Sequence, residues 1–301
     1  GSFLKLPSTN IIVTNIDAEH LEFYKSFKNL KDAFKQFINN IPFYGTAVLC
    51  LDNPTIQGIT SEIEDRRIIT YGISPQADYR AHNIKYNGEK TFFTLEISPR
   101  VDAPRKKIES IASCIPGIHN VQNVLAACAM SIELGVSIEV VRDALSNFEG
   151  VNRRFSLINN FKGIKIFDDY GHHPVEIRAT LSAAREVSTD KVIAIVQPHR
   201  YSRLKILFED FTTAFNDADT VFVMEVYAAG EEVINDINKE NLIKSLISAG
   251  HKDVREYQGK ENLRNYIKKN LLQGDVVIFL GAGDITLTAK EFISYINKEI
   301  A

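Results

Sequence analysis

Two short segments concentrate the side chains of this 301-residue chain that can do chemistry. Residues 168–174 read Asp-Asp-Tyr-Gly-His-His-Pro, and residues 197–203 read Gln-Pro-His-Arg-Tyr-Ser-Arg, each directly after an apolar run. A protein core cannot hold so many polar groups unless they are paired. Arginine and histidine at this density favour an anionic, phosphate-bearing substrate, because guanidinium groups bind carboxylates and phosphates through paired hydrogen bonds.

The acidic pair Asp168-Asp169 has two interpretations. Adjacent carboxylates repel each other, so they usually accompany a cation or accept hydrogen bonds from ligand hydroxyls. Alternatively, an aspartate caps the helix that follows, with Pro174 in its first turn. Capping accounts for one acid, but it does not account for the intervening Tyr170, His172 and His173.

Three polar motifs, at residues 197–203, 225–231 and 281–284, directly follow predicted strands. Ligands of open parallel sheets bind outside the carboxyl ends of the strands, so these motifs predict a site along one edge. Ordinary turn chemistry is the alternative, and it is the better interpretation of the short glycine motif at 281–284 taken alone. The first motif, with two arginines and a histidine facing one rim, favours a function.

A helix predicted over residues 120–134 begins next to His119, Asn120 and Asn123, which share one face. The N-terminus of a helix favours anions, and asparagine side chains can pair with the edge of a nucleotide base. A simple asparagine cap is an equally good interpretation.

Two weaker signals concern charged residues. Arg153 and Arg154 follow Gly150, beyond which the sequence pattern changes, so this segment is a candidate hinge between domains. A hinge arginine can reach into a cleft when the domains close. Taken alone, a solvated basic linker explains them better. Asp17, Glu19 and His20 follow a strand and can ligate a divalent metal, although acids on exposed loops are routine.

The elements that must position these residues alternate along the chain. The first half has predicted strands at 10–16 and 45–51, a helix at 27–40 and a β-rich stretch at 68–101. The second half has a hairpin at 155–168, then helices at 174–187, 205–216, 238–249, 260–270 and 286–299 between strands at 192–196, 220–226, 253–257 and 275–280. This rhythm predicts an α/β fold with a mostly parallel sheet and two domains, residues 1–150 and 151–301.

The composition excludes several classes of protein. A net charge of −3 and a pI near 6.2 argue against a nucleic-acid partner. No run approaches the ~18 apolar residues of a membrane-spanning helix. The three cysteines are scattered, so a disulfide framework or zinc cage is not expected, and their usage fits a cytoplasmic protein.

Taken together, these segments resemble the Mur ligase family. The matching motifs occur in family order along nearly the whole chain: Gly1-Ser-Phe-Leu4, Thr14-Asn-Ile-Asp-Ala-Glu-His20, Ile41-Pro-Phe-Tyr-Gly45, His119-Asn120, Asn123, Arg153-Arg154-Phe155, Asp168–Pro174, Gln197–Arg203, Val226–Glu231 and Gly281-Ala-Gly283. Each motif alone is weak, but the ordered set is specific. The histidine-rich turn and the Gln-Pro-His-Arg segment point to the member that adds L-alanine to UDP-N-acetylmuramate in peptidoglycan synthesis.

The resemblance implies a three-domain enzyme with UDP-binding, central ATP-binding and C-terminal amino-acid domains. Residues 1–150 would be the central, mononucleotide-binding-like domain, incomplete at its N-terminus, and residues 151–301 the Rossmann-like amino-acid domain. The family's phosphate loop, which ends in Gly-Lys-Thr, is absent from the sequence. We therefore expect a fragment without ligase turnover of its own.

The resemblance also implies ATP, Mg²⁺ and a set of site residues. His20 would ligate the metal. Six side chains would hold ATP: His119, Asn120 and Asn123 at the adenine, Tyr170 against its ring, Asp169 at the ribose and Arg154 at the γ-phosphate. Five would meet UDP-N-acetylmuramate and L-alanine: His172, His173, His199, Arg200 and Arg203.

Two alternatives belong to other functional classes. The chain could keep a nucleotide-binding face without catalysis, as a binding or regulatory domain. It could also be a metal-dependent phosphohydrolase that uses Asp168, Asp169, His172 and His173. A hydrolase would need a tightly bound metal at that cluster.

Overall fold

The computed structural model describes residues 1–19, 21–87, 90–98, 104–148 and 150–298. The chain divides into two compact units, the first formed by Gly1–Cys114 and Ile118–Phe148 and the second by Ile115–Gly117 and Glu149–Ala301. Each unit has a six-stranded sheet and its own apolar core. None of the described helices is long and apolar enough to cross a membrane.

The first unit has a sheet whose strands lie in chain order. These are β1 (Asn10–Val13), β2 (Thr46–Cys50), β3 (Arg67–Gly72), β4 (Tyr79–Asn87), β5 (Lys90–Ile97) and β6 (Lys106–Ser113). The pairs from β1 to β4 are parallel, and those from β4 to β6 are antiparallel. The β-rich stretch predicted over 68–101 is confirmed, and it supplies most of the antiparallel arm.

Five helices accompany this sheet in the described residues. They are α1 (Leu21–Tyr24), α2 (Phe27–Asn39), α3 (Pro54–Thr60), α4 (Ile118–Glu133) and α5 (Ile138–Asn147), after a 3₁₀ turn at Ser2–Lys5. The Ser26 hydroxyl caps α2 by accepting the Asn29 N–H, and Leu30 and Ile38 are buried on its inner face. The helix predicted over 27–40 is therefore confirmed.

The second unit has a sheet in the order β11-β10-β9-β12-β8-β7. Its strands are β7 (Ser156–Phe161), β8 (Ile164–Asp169), β9 (Val192–Val196), β10 (Thr220–Val223), β11 (Val254–Glu256) and β12 (Val276–Leu280). Every pair is parallel except the β7–β8 hairpin, so the predicted mostly parallel sheet is confirmed. All residues of β9 and β12 are buried, which explains their continuous apolar sequences.

Six helices cover the second sheet in the described residues. They are α6 (Pro174–Val187), α7 (Tyr201–Ile206), α8 (Phe208–Thr212), α9 (Lys239–Ser248), α10 (Lys260–Asn270) and α11 (Ile285–Lys298). The single helix predicted over 205–216 is wrong, because the chain breaks at Leu207 into two short helices. Leu204 and Phe211 are both buried across the break, so the apolar spacing does not reveal it.

Candidate functional site

The polar motifs of the second unit meet at the carboxyl edge of its sheet. Strands β8, β12, β9 and β10 are neighbours in that order, so the segments that follow them lie side by side. Gln197 Nε2 donates to Asp284 Oδ1 at 2.6 Å, and the Ile285 N–H donates to Gln197 Oε1 at 3.2 Å. The Gly281 N–H donates to the Asp169 carbonyl at 3.1 Å. The predicted convergence on one edge is confirmed.

The carboxylate of Asp169 is buried in this edge and is bonded to the protein itself. Its oxygens accept the N–H groups of Phe155 and Gly171, each at 2.7 Å, and the Thr180 hydroxyl at 3.1 Å. Burial raises the pKa of Asp169, although these donors act in the opposite direction. The side chain therefore ties the end of β8 to the segment before β7 and to α6. The ribose contact implied for it stays a prediction.

Asp168 also contacts the protein rather than standing free. The Thr286 hydroxyl donates to its two oxygens at 3.0 and 3.2 Å, and Arg153 Nε lies 3.9 Å from Oδ2. Burial raises the pKa of Asp168 against the effect of these partners. Arg153 also donates through Nη2 to the Gly281 carbonyl at 2.6 Å. Arg153, which was not among the predicted site residues, thus links two turns of the edge.

Helix α6 is capped by a histidine. The His173 Nδ1 accepts the Val175 N–H at 3.4 Å. The Glu176 carboxylate reaches back to the N–H groups of His172 and His173 at 3.0 and 3.2 Å, which completes a capping box. Capping by Asp168 or Asp169 is therefore wrong as an interpretation of the acidic pair. The buried His173 supports the helix, and its predicted contact with substrate stays a prediction.

Tyr170 lies against two guanidinium groups. The Arg153 guanidinium is 4.7 Å from the centre of the Tyr170 ring, and that of Arg154 is 6.0 Å away. Arg154 Nη1 is 3.7 Å from Glu176 Oε1, yet 52% of the Arg154 side chain is exposed. The Arg154 guanidinium thus contacts Glu176 and Tyr170 on one side and is exposed to solvent on the other, so it can bind an anion.

A row of rings continues from this group towards the turn after β9. His172 Nδ1 is 3.0 Å from the Tyr170 carbonyl oxygen, and the His172 ring centre is 5.6 Å from that of His199. The His199 ring stacks on Tyr227 at 5.4 Å. Arg203 Nη1 lies 3.2 Å from His199 Nδ1, and because arginine can only donate, this nitrogen is the acceptor. Three segments of chain, those after β8, β9 and β10, thus contribute to one polar row.

The imidazole of His199 is neutral at neutral pH. Burial, together with the positive charges of His172, Arg203 and Arg200, lowers its pKa to about 4, while Glu231 acts in the opposite direction. The Arg200 side chain is exposed beside it. A neutral imidazole beside the Arg203 guanidinium and the exposed Arg200 suits the binding of a carboxylate or an acyl phosphate. Their roles towards substrate stay predictions.

The first unit carries the residues that the resemblance places at adenine. Helix α4 begins at Ile118 rather than at residue 120, so His119 and Asn120 lie in its first turn. Asn120 is buried, and Asn123 is exposed. The side chain of His119 is half-buried. The predicted shared helix is confirmed, whereas contact with a base stays a prediction.

A cavity of about 420 Å³ opens in the first unit beside the segment that follows β1. Its lining combines Asn15, Asp17 and Glu19 with the rings of Phe23 and Phe34. His20, the predicted magnesium ligand, lies outside the described residues. Among the residues that are described, no three histidine, cysteine, aspartate or glutamate side chains come together to hold a metal ion.

Comparison with protein families matches both units. Residues 5–131 match the Mur ligase middle domain, and residues 153–283 match the Mur ligase glutamate ligase domain. The chain belongs to the Mur ligase family. Helix α4 and the segment after β1 therefore belong to the Mur ligase middle domain. The polar side chains from Arg154 to Arg203 belong to the glutamate ligase domain.

Curated relatives from several bacteria carry one name. The chain is 49% identical over 289 residues to the UDP-N-acetylmuramate–L-alanine ligase of Sinorhizobium medicae, and 50% identical over 289 residues to that of Rhizobium meliloti. Each alignment covers 96% of this chain and 61% of the relative. The ligase of Bartonella henselae is 49% identical over 95% of this chain. This Mur ligase chain thus spans about 61% of the length of the first two relatives.

Solved structures agree with the fold. The UDP-N-acetylmuramate–alanine ligase of Thermotoga maritima matches with a TM-score of 0.74 and 28% identity, over 98% of this chain and 61% of that one. A MurF from Acinetobacter baumannii matches with a TM-score of 0.76 and 19% identity, over 97% and 61%. The second likeness concerns the fold alone.

Proposed function

We propose that this chain belongs to an ATP-dependent ligase that joins L-alanine to UDP-N-acetylmuramate in peptidoglycan synthesis. One observation carries the proposal: relatives with that name are 49–50% identical to the chain over at least 95% of its length. The row of arginine and imidazole groups at the edge of the second sheet supports it, because the substrates and the intermediate are anionic.

The reaction needs ATP because a free carboxylate is a poor acyl donor. Transfer of the γ-phosphoryl group to the lactyl carboxylate gives an acyl phosphate. The amine of alanine attacks the acyl carbon, the tetrahedral intermediate collapses, and inorganic phosphate leaves with the carboxyl oxygen. The protein contributes mainly by positioning the reactants and neutralising phosphate charge.

The second unit offers side chains for the anionic groups. Arg154 has an exposed guanidinium on a fixed backbone, which suits a terminal phosphate. Arg200 and Arg203, beside the neutral His199, suit the carboxylate of alanine or of the muramoyl group. His172 stands between these two groups, next to His199. Arginine is apt at such places because its fork binds a carboxylate through two bonds.

The first unit offers side chains for the adenine. The exposed Asn123 can present a donor and an acceptor to a base edge, and the buried Asn120 and half-buried His119 lie on the same helix. Magnesium would complete the charge balance of ATP, but the described residues do not form a metal site. His20 stays a candidate ligand for that ion.

The structure argues against the alternative of a metal-dependent phosphohydrolase at residues 168–173. Asp169 is bonded to backbone N–H groups, and His173 caps α6. The described side chains of that segment do not converge on a metal position. A non-catalytic nucleotide-binding domain would keep the same nucleotide contacts, so only an activity assay separates it from a ligase.

The test is ligation by the purified full-length protein that contains this chain. We expect ATP-dependent formation of UDP-N-acetylmuramoyl-L-alanine, with phosphate released in equal amount, and weaker turnover with glycine or L-serine. Arg203→Ala should lower kcat/KM for alanine by about 10- to 100-fold, since a charge-assisted bond is worth ~1.5–3 kcal/mol. Lys205→Ala, an exposed charge on the same helix, is the matched control.

Two outcomes would contradict the proposal: ATP turnover without amide formation, or a marked preference for another amino acid. The 301-residue chain assayed alone should show no ligation, because its sequence lacks a Gly-Lys-Thr phosphate loop. Measurable alanine ligation by that chain would overturn this expectation.

We also propose a cytoplasmic location. The three cysteines are free thiols, and burial raises the pKa of Cys50 and Cys128. Free thiols of this kind fit a reducing compartment. Fractionation of cells followed by immunodetection tests the location.

A further inference from the structure

The short helix α7 carries Arg203 but lacks a cap of its own. It has six residues, and the residue at its N-cap, Arg200, has φ +70° and offers no side-chain hydrogen bond to the first turn. A helix of one or two turns is unstable by itself, and the N–H groups of its first turn need acceptors. The position of Arg203 therefore depends on what holds this helix in place.

The carboxylate of Glu231 supplies the missing acceptor from another loop. Its Oε2 accepts the Ser202 N–H at 3.0 Å, and its Oε1 accepts the Ser202 hydroxyl at 2.6 Å. Burial raises the pKa of Glu231, but the Ser202 bonds and the charge of Arg200 outweigh burial and leave it below the usual value. A negative charge at this end of a helix also interacts favourably with the helix dipole.

The loop after β10 is shaped to deliver this carboxylate. The Glu231 N–H donates to the Ala228 carbonyl at 3.0 Å, and Ala229 and Gly230 both have positive φ, +51° and +85°. Two consecutive positive φ angles are those of a type I′ turn, which reverses the chain tightly. The turn brings Glu231 back over the start of α7.

The same loop also holds the residue that Arg203 contacts. The Tyr227 N–H donates to the Pro198 carbonyl and the Arg200 N–H donates to the Tyr227 carbonyl, each at 2.8 Å. The Tyr227 ring stacks on His199 with an angle of 12° between the planes. Arg203 Nη1 then lies 3.2 Å from His199 Nδ1. The two loops thus form one assembly, in which Glu231 holds the helical end.

We propose that Glu231 is a positioning residue: it caps α7 from the neighbouring loop and thereby fixes Arg203 against His199 in the orientation that binds the carboxylate of the incoming amino acid. The carboxylate role rests on the function proposed above, whereas the capping and the Arg203–His199 geometry do not. The inference therefore has one test that needs catalysis and one that does not.

The first test is an NMR titration of His199 in the 301-residue chain, with His199→Gln used for assignment. In Glu231→Ala, the start of α7 loses its acceptor and Arg203 moves away, so the His199 pKa should rise from about 4 towards its ordinary value. In Glu231→Gln, the amide keeps both contacts with Ser202 and removes only a negative charge that raises the His199 pKa. That variant should leave the His199 pKa unchanged or lower.

Opposite behaviour of the two variants supports the proposal, because loss of charge alone would move the pKa in the same direction in both. Equal downward shifts would overturn it, and so would an unchanged pKa in Glu231→Ala. Glu232→Ala, at the next and exposed glutamate, is the matched control and should titrate like the parent chain. If the alanine variant folds poorly, a rise of the His199 pKa in Glu231→Gln would overturn the proposal by itself.

The second test is steady-state kinetics of the full-length protein. Glu231→Ala should raise KM for L-alanine on the order of 10-fold or more, with KM for ATP changed less than about twofold, and Glu231→Gln should restore most of the loss. An equal rise in both KM values would overturn a specific positioning role. Opposed His199 shifts in a protein without alanine ligation would leave the positioning intact and overturn the proposed function.

Discussion

The turn after β8 and the turn after β9 lie at the same sheet edge, and they use their polar side chains in opposite ways. After β8, Asp169 accepts three hydrogen bonds from the protein, and His173 and Glu176 complete a helix cap. After β9, Arg200 is exposed and His199 is neutral and half-buried. The side chains of Asp169 and His173 thus support the fold, whereas the Arg200 guanidinium stays exposed.

The difference teaches that the density of polar residues does not by itself mark a binding site. What separates the two turns is how far each side chain is already satisfied by its own protein. Substitutions in the first turn should therefore act on stability, and substitutions in the second on binding.

The largest expected effect comes from Asp169→Asn in the first turn. An amide cannot accept from all three donors that surround Asp169, so a buried N–H loses its acceptor. The free energy of unfolding should fall by about 3 kcal/mol, measured by urea denaturation followed by circular dichroism. Asp190→Asn, at an exposed aspartate, should stay within about 0.5 kcal/mol of the parent. Equal stability of the two variants would contradict the structural role.

Gly283→Ala should have the next largest effect, because the added methyl group would displace Gln197, in the turn after β9, and Tyr227, which packs against that turn. A Cβ at Gly283 would lie 2.5 Å from Gln197 Oε1 and 2.6 Å from Tyr227 Cγ. We expect a loss of about 1–3 kcal/mol in unfolding free energy and a change in the His199 ring signals as Tyr227 shifts. Gly58→Ala is the control with the opposite sign. Gly58 is helical with no atom near the added Cβ, so this variant should gain stability.

His173→Ala should cost about 1 kcal/mol, since it removes the side chain that caps α6. His173→Asn, which keeps a side-chain acceptor at the cap, should recover part of the loss. Thermal and urea unfolding of the two variants check this. A larger loss in the asparagine variant than in the alanine variant would show that capping is not what His173 contributes.

The smallest expected effect on stability is that of Arg200→Ala in the second turn. The Arg200 side chain makes no hydrogen bond or ion pair within the described part of the chain, so unfolding free energy should change by less than about 0.5 kcal/mol. In the full-length protein, the same substitution should raise KM for alanine. A large loss of stability would mean that the two turns are less different than the contacts indicate.

Much of the architecture could be predicted from the sequence because it depends on local patterns. Continuous apolar runs predicted β9 and β12, and the alternation of strands and helices predicted a mostly parallel sheet with polar turns at its carboxyl edge. The bounds of α6 and α10 were predicted to the residue. The ordered motifs predicted the Mur ligase family, which the domain matches confirm.

The sequence by itself determined most of the helices and strands, the sheet edge at which polar groups gather and the family, but not the break between α7 and α8. Only the tertiary structure decided which of those polar groups bond to the protein itself. Asp169 accepts backbone N–H groups, and His173 caps α6. Arg153 links two turns, and Glu231 caps α7 from another loop. The physical reason is that the apolar periodicity of a helix or strand depends only on residues that are near each other in the sequence. The satisfaction of a buried polar group depends instead on donors far apart in the chain, which come together only when the sheet forms.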